Sequence, residues 1–463
     1  MPEPLKAMFE RRAHRRAVRR QIPATGSSHP DRPPGGTPMK FTPYWLDTAP
    51  QGPDRSRTEV SGDVDVAVVG AGLTGLTAAL HLARKGAKVA VLEKDTVAFG
   101  ASGRNGGMAT TGLSIGIRDA VARYGFATAR RYLETYHDAV DTIEKLVTEE
   151  GIDCDFSRPG KLVLASKPAH FDGLRKTHEV YDRMGLDETR LVSRSDIHSE
   201  IGSDLFHGAM VDTKSAGLHV GKYTRGLGEA AARAGAQIHE KAPVEQVRRL
   251  GGTKHEVVTS RGSVRADQVL VATSGYTGRP FRWLQVRIAP VGSFIIVTEP
   301  LGEDLCDQIL PTRRMASTSM NLLNYFRITP DHRLLFGGRA RFAMAGPQSD
   351  AKSGRILHKA MTEVFPQLTS ARVDYCWGGL VDMSMDRMVH AGEQDGLFYS
   401  VGYSGHGVQM ATYMGRQMAE YMNGTTAANP WRDLSFPRIP GHFGPPWFLP
   451  FAGAYYKFKD LVG

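Results

Sequence analysis

"VDVAVVGAGLTGLTAALHLARKGAKVAVLEKD", Val64 to Asp95, decides the architecture of this chain. Up to Val69 it is an apolar run broken only by Asp65, the pattern of a strand buried on both faces of a parallel sheet. Leu73, Leu76, Ala79, Leu80 and Ala83 then recur at helical spacing, with Gly86 as the stop signal. "AKVAVLEKD" reads as a second strand, which makes a βαβ unit with a right-handed crossover. The link between strand and helix, Gly70, Ala71, Gly72, Leu73, Thr74 and Gly75, has the G-x-G-x-x-G form. Gly70 permits the tight turn, Gly72 lets a pyrophosphate reach the backbone, and Gly75 lets helix and strand pack closely. The phosphates would then meet helix N–H groups. Glu93, 18 residues after Gly75, ends the second strand and can accept from a ribose 2′-hydroxyl, which disfavours a 2′-phosphate. A dinucleotide is expected here, and NADP is not.

Seven residues beyond Glu93 comes "GASGRNGGM", Gly100 to Met108, where a nicotinamide enzyme would continue its βα units. Read alone it is a flexible loop or a second surface of bare backbone. After a complete βαβ unit, it favours FAD, whose isoalloxazine extends away from the first unit.

Outward from this core the α/β pattern is interrupted twice. Residues 117–150 read as helix, "GKLVLAS" as strand, and α/β elements return near Lys222 with "KYTRGLGEAAARAG" and "AQIHE". A hairpin around "HEVVTSRGSVRAD" and a strand "QVLVATSG" follow; strands dominate 286–340, and "VDYCWGGL" leads to a Gly-rich turn and the helix of "GYSGHGVQMATYMGRQMAEYM". The expected fold is mixed α/β (α+β): a discontinuous Rossmann-like nucleotide domain (62–112, 216–282 and 377–432) with an inserted antiparallel-sheet substrate domain (113–215 and 283–376). Residues 1–41 are expected to be a disordered basic tail and 433–463 a C-terminal extension. The stretch through Ser61 shows no periodicity apart from its basic run.

The net charge of +10 divides into +5 for residues 1–38 (eight Lys/Arg, three Asp/Glu) and +5 for the other 425 residues, so the body is only mildly basic. The tail reads as a nucleic-acid or membrane-surface arm, an Arg-rich targeting peptide, or an upstream start before Met39. No apolar run reaches the roughly 18 residues of a membrane helix. Cys154, Cys306 and Cys376 form neither a disulfide framework nor a metal motif, which favours a reducing, cytoplasmic setting. No metal is expected.

The stretch 70–95 together with "GASGRNGG" resembles the FAD-dependent oxidoreductases of the D-amino-acid-oxidase superfamily, nearest the γ-glutamylputrescine-oxidase-like branch. "YWLDTAP" (44–50), "VGSFIIVTEPL" (291–301), "NYFRITPDHRLLFGGR" (324–339), "WGGLVDMSMDR" (377–387) and "GLFYSVGYSGHGV" (396–408) carry the same resemblance. It implies that Gly70, Gly72 and Gly75 cradle the pyrophosphate, with Ala71, Leu73 and Thr74 between them, and that Glu93 and Lys94 meet the adenosine side. Ser102, Gly103, Arg104, Asn105, Gly106, Gly107 and Met108 would run beside the ribityl chain and flavin. Val244 would touch adenine, Thr273 and Gly275 would close over the dinucleotide, and Gly405, His406, Gly407 and Val408 would meet the pyrimidine edge from a helix start. Relatives often carry Gln at the position of Met108 and Pro at that of Val389. Gly379 stands where some relatives attach flavin through cysteine, so FAD is expected to be non-covalent.

The chemistry implied is oxidation of a C–N bond by hydride transfer to the flavin N5. The substrate is a small amine or amino acid, with a γ-glutamylated or carboxylate-bearing amine favoured. The imine then hydrolyses and O2 takes the electrons, giving H2O2. His406 is the ionisable group placed nearest the flavin, or a helix-start residue holding its loop. Arg327 is a candidate carboxylate handle, or a sheet arginine. Tyr325, Trp283, Tyr276 and Trp377 form aromatic walls or core, and Arg104 lines the cavity or pairs with an acid. The rivals are a dehydrogenase using a quinone or electron-transfer protein, a tRNA-modifying flavoprotein, and a flavin-binding protein without catalysis. Neither nucleic acid nor membrane is an expected partner, and the oligomeric state stays open.

Overall fold

Asp63–Val69 is the centre of the first sheet in the computed structural model, which describes residues 39–338 and 347–462. Its last four residues are all buried, as an unbroken Val/Ala run requires. It runs parallel to Val89–Leu92 on one side and to Gly262–Val271 on the other. Gln237–His239 and Leu397–Val401 extend the two flanks in parallel, and His390–Gln394 closes the edge antiparallel. Val66 and Val68 face one core with helices Leu73–Arg84, Val220–Arg233 and Gly407–Met422, while Ala67 and Val69 face a second. Gly407–Met422 crosses Leu73–Arg84 closely because Gly415 has no side chain: a Cβ there would collide with the Thr74 carbonyl.

The second sheet has eight strands in the order Val373–Met383, Ala289–Thr298, Leu334–Gly338, Asn324–Ile328, Met315–Thr318, Lys161–Leu164, Ala209–Asp212 and Thr189–Val192. Phe294, Ile296, Phe326 and Phe336 fill its outer core with Leu357 and Met361 of helix Pro347–Val364. The sheet is antiparallel throughout except where Met315–Thr318 runs parallel to Lys161–Leu164. That junction joins two chain segments distant in sequence, so no hairpin dictates its direction.

Several expectations change. Lys40 already joins the second sheet, bonding Asp374 O and Cys376 N, and Tyr44–Thr48 is a helix with Tyr44 and Trp45 buried. The basic run of 1–38 lies outside the described residues. The helix at 117–150 is two, Ile117–Tyr124 and Phe126–Glu150, because Gly125 turns the chain at φ +80°. The hairpin arm and following strand near 262–271 are one strand, whose alternating burial becomes continuous where it enters the sheet. The strand divided at 377 lies whole in the second sheet, since Val373–Met383 pairs along its length with Ala289–Thr298. Among the described residues no helix is long and apolar enough to cross a membrane, and no cluster could hold a metal.

Candidate active site

A cavity of about 1440 Å³ runs from the first βαβ unit to the second sheet. Drug-sized ligand pockets hold roughly 300–1,000 Å³, so there is space for a dinucleotide and a further small molecule. At one end Gly70, Ala71, Gly72, Leu73, Thr74, Glu93, Lys94, Val244 and Thr273 form the wall. Gly70 has φ +107°, and a Cβ there would lie 2.8 Å from Ala272 O. Gly75 is not in the wall: its missing side chain lets the helix sit against the Gly70 carbonyl. Glu93 accepts from the N–H groups of Ala71 and Asp95, each at 2.8 Å. Burial pushes its carboxyl upward, and those two amides oppose the shift.

The loop 100–108 is tied down by hydrogen bonds of its own and to its neighbours. Asn105 Nδ2 donates to Ala101 O and Ser102 O, while its Oδ1 accepts from Gly107 N. Ser102 Oγ accepts from Leu73 N, tying this loop to the first helix start. Arg104 lines the cavity without an acidic partner in the loop, donating to Phe99 O and Gly378 O. Trp45 donates to Asn105 O at 2.7 Å and Trp377 donates to Arg104 O at 3.0 Å. Two buried tryptophans from remote segments therefore clamp consecutive carbonyls, which leaves Ser102, Asn105, Gly106 and Met108 facing the cavity.

Arg327 does not face that cavity. It is buried behind the loop, donating to Gly107 O and Leu218 O, and Gly217 has no Cβ because the guanidinium lies against it. The expected carboxylate handle is thus a loop clamp in this geometry. Gly103 and Gly107 also sit behind the wall, packed on Leu46 and on Leu218 and Trp45. Gly275 lies outside the wall too, allowing the turn at 274–276 to approach Leu380. Tyr325 and Tyr276 line the cavity; Trp377 and Trp283 do not, Trp283 packing instead on Tyr399 and Phe436. Gly379, Gly405, His406, Gly407 and Val408 are in the wall, and Gly405 (φ +94°) has open space where a Cβ would point. His406 caps helix Gly407–Met422, with its ring 5.6 Å from that of Tyr136. Burial first, then the charge of Lys161, holds its pKa down at about 3, and its Nδ1 has no hydrogen-bond partner among the described residues.

Four features escape sequence reasoning. Lys161 opens a strand of alternating burial and reaches the cavity beside Tyr181 and Asp212. Buried Asp382 accepts from Gly402 N at 2.8 Å, and burial raises its pKa to about 6. Ser114 donates to Ser404 O, further fixing the turn before His406. The helix Leu449–Val462 contributes Leu449, Ala452, Tyr456 and Lys459 to the wall, and Asp460 anchors it by accepting from Asn321 N and Leu322 N. The polar residue heading an apolar strand was the one usable signal, for Lys161; the others depend on contacts across the fold.

The family model of FAD dependent oxidoreductases (DAO) matches residues 65–421. The chain belongs to the DAO family of FAD-dependent oxidoreductases. It is 34% identical over 405 residues to the gamma-glutamylputrescine oxidoreductase of Escherichia coli, covering 86% of this chain and 93% of that protein. It is also 34% identical over 366 residues to the probable oxidoreductase OrdL of Haemophilus influenzae, covering 78% and 83%. The crystal structure of glycine oxidase from Geobacillus kaustophilus superposes with a TM-score of 0.70 at 20% identity, covering 82% of this chain and all of that one. This DAO enzyme thus shares the fold of that structure.

Proposed function

We propose that this FAD-dependent oxidoreductase oxidises the C–N bond of a small carboxylate-bearing amine, with γ-glutamylated amines as the favoured class. The observation that carries the reading is the continuity of one cavity. It joins the Gly70–Gly72 cradle, the bare Asn105–Gly106 backbone and the Gly405–Val408 helix start to an inner chamber between the two sheets. The gamma-glutamylputrescine oxidoreductase relative supports the substrate class.

FAD, when bound, supplies the acceptor for the hydride equivalent leaving the carbon beside nitrogen. The chain's own contribution is to bind, orient and dry. Gly70 to Thr74 and Glu93 would hold the adenosine diphosphate portion, and Ser102 to Met108 would flank the flavin. The helix start at Gly407 would offer N–H dipoles to a flavin pyrimidine edge placed against it, where they would stabilise developing negative charge. Tyr325, Val291 and Met108 give this part of the chamber an apolar lining, which would favour the neutral amine over its ammonium form. Burial and the charge of Lys161 favour the neutral imidazole of His406, which would then present no positive charge to oppose an incoming ammonium. Non-covalent attachment is supported by Cys376, whose thiol is buried on Asp350 O with its pKa pushed up to about 12.

An anaerobic screen of amines and N-substituted amino acids against the holoenzyme tests the reading. Bleaching of the flavin absorbance by a carboxylate-bearing amine is the expected result. A flavin that no amine reduces would overturn it. Oxygen uptake with no added acceptor distinguishes oxidase from dehydrogenase.

A further inference from the structure

We propose that Lys161 is the carboxylate-binding group of the inner chamber, the role for which Arg327 is wrongly placed. The proposal rests on the amine-oxidation reading for the identity of the substrate, but not for the binding of the anion.

Lys161 begins the strand Lys161–Leu164, directly across the antiparallel pair from Asp212. That aspartate is the obvious counter-ion, yet it is already engaged. Thr111 Oγ1 donates to its Oδ2, and the N–H groups of Lys214 and Ser215 donate to its Oδ1 at 2.9 and 3.3 Å. These bonds hold the turn after the strand, and among the described residues the Lys161 ammonium donates to Thr111 O rather than to Asp212, whose charge acts on it only through space. The ammonium donates to Thr111 O at 3.2 Å, its one hydrogen bond among the described residues. An ammonium has three N–H donors, so two remain for the cavity that Lys161 lines.

Burial of a cation without a paired anion is costly, and an arriving carboxylate offsets part of that cost. Burial pulls the Lys161 pKa down, with Asp212 opposing; an anionic ligand would restore the charged form. The surroundings suit an anion of limited size. The neutral His406 lies close enough to feel the Lys161 charge, and the buried Tyr181 closes the same part of the chamber. A substrate with its carboxylate on Lys161 and its amine toward the loop 105–108 would span the chamber. That arrangement selects amines bearing an acid some carbons away over simple alkylamines.

The test uses the oxidised holoenzyme, titrated with glutarate and with its uncharged diamide, glutaramide, while the visible flavin spectrum is followed. The wild type is expected to bind glutarate saturably and glutaramide at least about tenfold more weakly, as befits a charge-assisted bond. Lys161→Met should weaken glutarate by about tenfold or more, and Lys161→Arg should recover most of it. Equal binding of the two probes by the wild type would overturn the proposal, whatever the variants do. So would Lys161→Met that keeps FAD and its melting temperature and binds glutarate like the wild type. The outcomes separate from those of the amine screen. Glutarate binding that depends on Lys161 with no amine-driven bleaching would leave the anion site standing and the oxidation reading refuted.

Discussion

Removing the Arg327 guanidinium tests whether this residue clamps the flavin-side loop or touches substrate. Its Nη1 donates to Gly107 O and Leu218 O, and both bonds would be lost in Arg327→Met. Hydrogen bonds from a charged donor contribute roughly 1.5–3 kcal/mol each, so the pair contributes about 3–6 kcal/mol. Against this stands the cost of burying the charge, which pulls the pKa down from 12.5 to about 10. That shift corresponds to about 3 kcal/mol. The net loss is therefore about 0–3 kcal/mol, and methionine fills part of the vacated volume. Because Gly107 O belongs to the loop at the cavity wall, the loss falls on the geometry of 105–108. If the upper end were felt wholly in the FAD-bound state it would amount to about a hundredfold in FAD affinity. The assay is FAD content after gel filtration, FAD affinity by fluorescence, and a thermal melt with and without added FAD. The expected variant has a melting temperature lowered by a few degrees and retains little FAD, with KM ratios among amines unchanged once saturated with FAD. A variant that keeps its FAD and melting temperature but loses affinity for carboxylate-bearing amines alone would refute the clamp.

Three further outcomes follow from the geometry. Glu93→Ala removes the acceptor of the Ala71 and Asp95 amides and the carboxylate facing the cavity. FAD affinity should fall about tenfold or more, read by fluorescence titration of the apoprotein, while the second sheet's near-UV dichroism is retained. Gly75→Ala places a Cβ against the Gly70 carbonyl in the packed strand–helix contact. It should yield protein that neither folds cooperatively nor binds FAD, and an intact yellow variant would contradict the close-packing argument. Asp382 gives a pH prediction. Its folded pKa of about 6 lies above the ordinary 3.8, so the folded state holds a proton that the unfolded chain releases between those values. Stability from this group is therefore present below about pH 4 and is lost as the pH rises through 6, by about 3 kcal/mol. Asp382→Asn should gain stability relative to the wild type across that window, measured as the melting-temperature difference at pH 4 and pH 7. A pH-independent difference would refute the assignment.

The segment Val64–Asp95 carried its own structure because strand, turn, helix and strand are consecutive, and local spacing specifies each. Its glycines, its parallel pairing and the acidic end of its second strand follow from residues at most a few turns apart. The loop 100–108 was legible as bare backbone for the same reason, and its position after the βαβ unit distinguished flavin from nicotinamide. Nothing local could show that Trp45, Trp377 and Arg327 clamp that loop, because their partners lie 60, 273 and 220 residues away. An arginine in a strand looks the same whether it faces a cavity or the rear of a loop, and only the tertiary packing separates the two. Lys161 was hidden likewise: its significance arises because Asp212 is occupied by Thr111, Lys214 and Ser215. The sequence by itself determined the βαβ unit with its glycine turn and the class of cofactor, through contiguous motifs. Tertiary structure alone decided which charged side chain meets the cavity, because that depends on which counter-ions the fold has already consumed.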